Sequence, residues 1–128
     1  MRARPTSPHT TIYTFRTMAF SLAHRVTGIL LAFGLAVLAY WLMAAAGGED
    51  SYGAALVVLS WRVCRLLLWA LLAAFLYHLV SGLRHLSWDL VLGMEKRQTR
   101  VSSAVVVVLV LALLVLFTWL LFFRTVAP

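Results

Sequence analysis

Carboxylates are scarce in this chain: Glu49, Asp50, Asp89 and Glu95 are the only acids among 128 residues, and none falls within an apolar run. Buried acids are the usual means of moving protons or ions through a bilayer, and here the polar residues gather at one membrane face, which argues against a transporter. Cysteine is scarcer still. Cys64 stands alone in apolar sequence, which excludes an internal disulfide and a thiolate metal cluster and leaves it the role of a small buried hydrophobe. Charged residues make up 12% of the chain, where a soluble domain carries about a quarter, and 63% of residues are hydrophobic. The class that follows is an all-α membrane protein. The remaining charge is one-sided, with 11 Lys and Arg giving a net +7. On a soluble chain that balance would point to nucleic acid. Here the basic residues flank apolar spans, where they orient helices and meet anionic headgroups, so the partner is membrane lipid and not nucleic acid.

Three stretches reach the roughly 20 residues needed to cross the hydrocarbon. Residues 1–25 are polar and basic, with Arg2, Arg4, Arg16 and Arg25, and Pro5 and Pro8 argue against a continuous helix at the start, so they read as an arm leading into the first span. Residues 26–46 form the first transmembrane helix, with Gly28 and Gly34 compatible with close packing. Its Ala44-Ala45-Ala46 ending resembles a signal-peptide cleavage site, but the run exceeds the roughly 7 to 15 residues of such a signal and two further spans follow. Residues 47–60 are an external loop opened by a turn around Glu49 and Asp50. Residues 61–86 are the second transmembrane helix, in whose first turns Arg62 and Arg65 lie and from which Arg65 snorkels to the interface. A basic loop follows at 87–100, with Gly93 as the helix stop signal. Residues 101–123 are the third transmembrane helix and 124–128 an external tail. The valine run of the third span would suggest a strand in water, but an isolated strand cannot satisfy its backbone in lipid. Arg2, Arg4, Arg16 and Arg25 lie on one side with Arg84, Lys96, Arg97 and Arg100, against Arg62, Arg65 and Arg124 on the other. The excess places the N-terminus in the cytoplasm.

The stretch YHLVSGLRHLSWD, residues 77–89, ends the second span with two histidines, an arginine and an aspartate. His78 follows mostly apolar sequence, where an ionisable side chain needs a reason. Neutral imidazole is the commonest protein ligand for a metal, and burial favours the neutral form. Seven residues on, His85 returns to nearly the same helix face roughly 10 Å further along the axis, so the two cannot share one iron. That spacing suits a haem: with His78 as axial ligand, His85 lies near the rim, where propionates seek hydrogen-bonding or cationic partners. Gly82, four residues from His78, clears that face for a flat cofactor or a second helix. A plainer reading makes His78, Ser81 and Gly82 a small-residue seam with a histidine hydrogen-bonded between helices. Three helices enclose a haem poorly, and His78 is the one histidine deep enough to be an axial ligand. A six-coordinate iron would draw its second ligand from another subunit, in a heteromeric helical bundle.

Three blocks of the sequence carry a family resemblance. RPTSPHTTIY, residues 4–13, is similar to an RP-x-SPH-x-x-IY opening, with Thr10 where a leucine is frequent. SLAHRVTG, residues 21–28, matches S-x-x-HR-x-[TS]-G, and HLVSGLRHLSWD, residues 78–89, matches H-x-x-x-G-x-RH-L-x-WD. In this order, on a three-span chain, they resemble the cytochrome b subunits of succinate dehydrogenase, the larger of two membrane anchors of respiratory complex II. The resemblance implies that His78 is an axial ligand of a haem b shared with the smaller anchor subunit. It also implies that His24 and Arg25 lie near the haem propionates, and that Ser21 and Arg25 help form the site where ubiquinone, the substrate, is reduced. An iron-sulfur subunit and an FAD-containing flavoprotein that oxidises succinate to fumarate would complete the assembly.

The chemistry is consistent with those residue types. Quinone reduction takes two electrons and two protons, and a quinone carbonyl needs a donor and a nearby positive charge, which Ser21 and Arg25 can supply. Read without the family, Arg25 is a headgroup anchor and Ser21 an N-cap of the first helix. His9 orders the arm or meets the soluble subunits, and Arg84 pairs with Asp89. A rival of another class is a haem-free structural anchor for a soluble oxidoreductase. The lack of a targeting presequence before residue 4 favours a bacterial plasma (inner) membrane over the mitochondrial inner membrane.

Overall fold

Apolar spans become helices because lipid offers the backbone no partner, so each N–H and C=O must be satisfied within its own segment. The computed structural model describes the backbone of residues 15–126, with the side chains of 18–95 and 97–121. It contains α1 (Phe15–Ala46), α2 (Glu49–Leu59), α3 (Arg62–Asp89) and α4 (Lys96–Val126). Helices α1, α3 and α4 are long and apolar enough to cross a membrane, giving the all-α membrane protein the composition required. At 11 residues, α2 spans only about 16 Å and cannot.

Several boundaries depart from the sequence reading. Helix α1 starts at Phe15, well ahead of the apolar boundary at residue 26. Residues 15–25 contain no proline or glycine, and Met18, Ala19, Leu22 and Ala23 favour helix, so helix formation outruns hydrophobicity here. Ser21 therefore lies inside α1 and is not its N-cap. Pro5, Pro8, His9 and the block at 4–13 lie outside the described residues. Of the segment read as a turn at 47–52, only Gly47 and Gly48 form one, and Glu49 already begins α2. Gly48, at φ 94°, turns the chain, and Glu49 and Asp50 in the first turn oppose the partial positive charge of the helix N-terminus. Ala55, fully buried, lets α2 approach the bundle closely, and the Trp41 and Tyr52 rings meet edge-on at 6.3 Å.

Helix α3 runs to Asp89, three residues past the expected boundary at 86, and stops short of Gly93. The Val91 N–H bonds to the Trp88 carbonyl at 2.8 Å and the Leu92 N–H to the Ser87 carbonyl at 3.0 Å, the pair of bonds that closes a Schellman motif. The left-handed position of that motif is Val91, at φ 60°, a conformation a β-branched residue seldom adopts. Gly93 takes a second positive φ, 78°, within the loop that leads to α4.

Helix α3 is central, packed on one side by α1 and on the other by α4. Gly28 of α1 meets His78 and Gly34 meets Leu71, so the two helices run antiparallel. Arg84 reaches Ser103, and Leu76 and Val80 cluster with Val106 and Val110, so α4 is again antiparallel to α3. Much of the outer surface is large and apolar, including Phe33, Leu66, Val108 and Val115, as a surface meeting lipid or other apolar helices must be.

Candidate functional site

Ser21, His24, Arg25 and Gly28 are spaced i, i+3, i+4 and i+7 along α1 and so share one face. His78, Ser81, Gly82 and His85 repeat that spacing on α3. Where the two helices pack, their histidines interleave. The His24 and His78 rings stack at 4.0 Å between centroids with planes 6° apart, and His24 also approaches His85 at 4.9 Å, tilted by 54°. His85 meets Trp88 edge-on at 5.0 Å. Of the two contacting glycines, Gly28 is the one this arrangement needs, because a Cβ on Gly82 would make only an ordinary van der Waals contact. A Cβ on Gly28 would lie 3.0 Å from His78 Cε1, and one on Gly82 would lie 3.6 Å from His24 Cε1.

Hydrogen bonds fix the tautomers of the stacked pair. The Ser81 hydroxyl donates to the Tyr77 carbonyl at 2.6 Å, so it accepts from His24 Nδ1–H at 2.8 Å. His78 Nδ1 lies 3.1 Å from the His24 carbonyl, which can only accept, so this nitrogen also carries its proton. In each ring Nε2 is left as the lone-pair nitrogen, the form that binds a metal, and the bond from Nδ1–H to a backbone oxygen is the usual support of a ligating histidine. Coordination uses the ring plane and stacking uses the ring face, so the two do not compete. Parallel rings cannot aim both lone pairs at one ion, and among the described residues no group of three or more His, Cys, Asp or Glu side chains could hold a metal by itself. The donor set thus fits a haem iron, which takes one protein ligand per face, better than a caged ion.

Arg84 is buried, 9% exposed, and holds the same end of the bundle together. Its Nη1 donates to Ser103 Oγ at 2.8 Å, and its guanidinium carbon lies 4.5 Å from the Trp88 ring centroid and 5.3 Å from that of Phe20. Desolvated cation–π contacts of this kind are worth about 2 kcal/mol. The predicted pairing with Asp89 is not made: Asp89 is exposed, and Arg84 turns into the bundle towards Ser103. Tyr77 ties the helices a second time, its hydroxyl donating to the Phe20 carbonyl at 3.1 Å.

Ser21 is half-buried and Arg25 exposed, on the α1 face that carries His24 but outside the stack. Thr27 and Gly28, neighbours of the predicted set, prove to be contacts of His78. Their offsets of three and four from His24 were the available signal. A groove of about 670 Å³ lined by Leu56, Arg65, Trp69 and Thr118 lies at the other end of the bundle, away from the histidines, and Arg65 there is exposed as a snorkelling residue would be.

A family model described as the succinate dehydrogenase/fumarate reductase transmembrane subunit matches residues 1–123. The succinate dehydrogenase cytochrome b556 subunit of Paracoccus denitrificans is 36% identical over 123 residues, covering 93% of this chain and 94% of its own. That of Rickettsia felis is 35% identical over 106 residues, covering 82% of each chain. The human mitochondrial succinate dehydrogenase cytochrome b560 subunit is 37% identical over 109 residues, 83% of this chain and 64% of its own. With three apolar spans, a histidine stack at one end and a match over nearly its whole length, this chain belongs to the succinate dehydrogenase/fumarate reductase transmembrane subunit family.

Proposed function

We propose that the chain is the cytochrome b membrane anchor of a succinate:quinone oxidoreductase, in which His78 ligates a haem b iron shared with a smaller anchor subunit. The supporting observation is the His78 imidazole, whose Nδ1–H is held by the His24 carbonyl and whose Nε2 is left for coordination. A b-type haem supplies a one-electron redox centre within the membrane. His24, Arg25 and His85 lie at the basic end of the helices, where they would be available to hydrogen-bond or neutralise the propionates of such a group. Ser21 and Arg25 offer a donor and a permanent positive charge to a ubiquinone carbonyl, favouring the charge that develops as the quinone takes up two electrons and two protons. An iron-sulfur subunit and an FAD flavoprotein would deliver the electrons from succinate, and the large exposed apolar faces accommodate the smaller anchor. The excess of Lys and Arg at the histidine end supports a bacterial plasma membrane orientation with the N-terminus in the cytoplasm.

The haem-free anchor remains the second reading, because it requires hydrogen-bonded histidines between helices and both stacked rings are hydrogen-bonded. One comparison decides between them. In the purified complex, His78→Ala is expected to lose the low-spin reduced-minus-oxidised spectrum, while His24→Ala keeps a haem with an altered environment. An unchanged low-spin spectrum with full haem in His78→Ala, or a parent complex with no haem spectrum, would refute the ligand assignment. For topology, Lys96→Cys in a Cys64→Ser background is expected to react with an impermeant thiol reagent only from the cytoplasmic side. Labelling from outside intact cells would invert the orientation.

A further inference from the structure

The His78 ring is located by α1 and not by its own helix. Its Nδ1–H faces two oxygens of α1, the His24 carbonyl at 3.1 Å and Thr27 Oγ1 at 3.3 Å. Thr27's own proton is committed elsewhere, to the carbonyls of Ala23 at 2.8 Å and His24 at 2.9 Å. What the hydroxyl presents to the imidazole is therefore a lone pair. Back-bonding of this kind bends a helix slightly, which helps the His24 carbonyl lean out of α1 to accept across the seam. The opposite constraint is steric. The ring edge at Cε1 sits over Gly28, where an added Cβ at 3.0 Å would force the imidazole to move. The neighbouring position thus supplies an acceptor and the next supplies a gap, both aimed at one side chain on another helix.

We propose that Thr27 and Gly28 are positioning residues for the His78 ligand. Thr27 helps select the tautomer with Nδ1 protonated and raises the basicity of the ring, while Gly28 sets where the ring lies against α1. This rests on the reading of His78 as the haem ligand. A stronger acceptor on Nδ1–H makes the imidazole a better donor and favours oxidised iron, so weakening that acceptor should raise the haem potential.

The test uses the complete, purified complex carrying Thr27→Val, Thr27→Ser, Gly28→Ala, Gly34→Ala or His78→Ala. The readouts are haem content, haem midpoint potential and the low-spin ferric electron paramagnetic resonance signal. Thr27→Val, which keeps the shape and loses the hydroxyl, is expected to retain haem with a higher potential and a shifted ferric signal. Thr27→Ser, which restores the acceptor, should return both towards the parent. Gly28→Ala is expected to lower haem content or displace the ferric signal. Gly34→Ala is the packing control, because its Cβ would meet Leu71 Cδ2 at a comparable 3.1 Å, far from the histidines, and it should leave the signal unchanged. Parent-like potential and signal in both Thr27→Val and Gly28→Ala, with His78→Ala losing the low-spin signal, would overturn the positioning role alone. A shift in Gly34→Ala as large as that in Gly28→Ala would also overturn it, by showing general loosening. Survival of the low-spin signal in His78→Ala would instead overturn the ligand assignment beneath it.

Discussion

The two sides of α3 are held by different physics. Towards α4 the seam is mostly apolar, with Leu76 and Val80 packed against Val106 and Val110 and with Leu72, Leu113 and Leu114 around them, and the Arg84–Ser103 hydrogen bond is its polar end. Towards α1 the seam is polar and closely approached, with His24, Thr27, His78 and Ser81 bonded across it and glycines at positions 28, 34 and 82. Lipid is as apolar as leucine, so neither seam gains from hydrophobic transfer in the way a soluble core does. The apolar part of the α4 seam is stabilised by complementary shape. The polar seam depends on hydrogen bonds that would otherwise go unmade in a medium without water, and it therefore tolerates fewer arrangements. Imidazoles with fixed tautomers occur where the helices are most constrained, and that is the seam suited to chemistry.

Three measurements would break or sharpen this contrast. The largest effect is expected at the polar end: in the assembled complex, Ser21→Ala or Arg25→Leu should slow succinate-to-quinone transfer by about 10²-fold, as loss of one donor to developing oxyanion charge does elsewhere. Succinate oxidation with a water-soluble dye should stay near the parent rate, because the dye bypasses the quinone. Normal assembly with a parent quinone rate in both variants would make these residues interfacial and remove quinone chemistry from this seam.

A smaller effect is expected on the α4 side. Ser103→Ala strips the buried Arg84 guanidinium of its hydrogen bond and should cost about 1 to 3 kcal/mol, read as a lower thermal midpoint of the complex. Val106→Ala should cost about 1 kcal/mol from lost packing. Both should leave the haem spectrum as it was. A spectral change in Val106→Ala comparable with that of a polar-seam variant would show that the seams are not separable. The smallest effect lies outside both seams, at Val91. Val91→Gly relieves a left-handed valine and should stabilise by about 1 kcal/mol or less, with no change in spectrum or rate. A destabilised variant would mean that the side chain makes contacts worth more than its backbone strain.

Particular residues show where sequence reasoning reached and where it stopped. The valine run of α4 was legible as helix because lipid leaves no other solution, and His78, His85 and Gly82 were legible as one face because helical spacing is fixed. The start of α1 at Phe15 was not, since hydrophobicity marks where the membrane begins and not where the helix does. Nor was α2, whose acids read as a turn until their place in a helical first turn explained them. The stop at Val91 was hidden because the glycine that would announce it stands two residues later. Arg84 was assigned to Asp89 by proximity in sequence, whereas burial against Phe20, Trp88 and Ser103 determined its actual position.

Composition, periodicity and charge asymmetry by themselves determined a three-span helical membrane protein and the faces its polar residues share, because each follows from the backbone's demands in lipid and from fixed helical geometry. Only the packing of α1 on α3 decided that His24 stacks on His78, which ring nitrogens carry protons, and that Thr27 and Gly28 bear on a residue 50 or more positions away. Those facts depend on the depth and rotation at which two helices meet. No local pattern encodes either, because both are set by the sum of contacts along the whole seam.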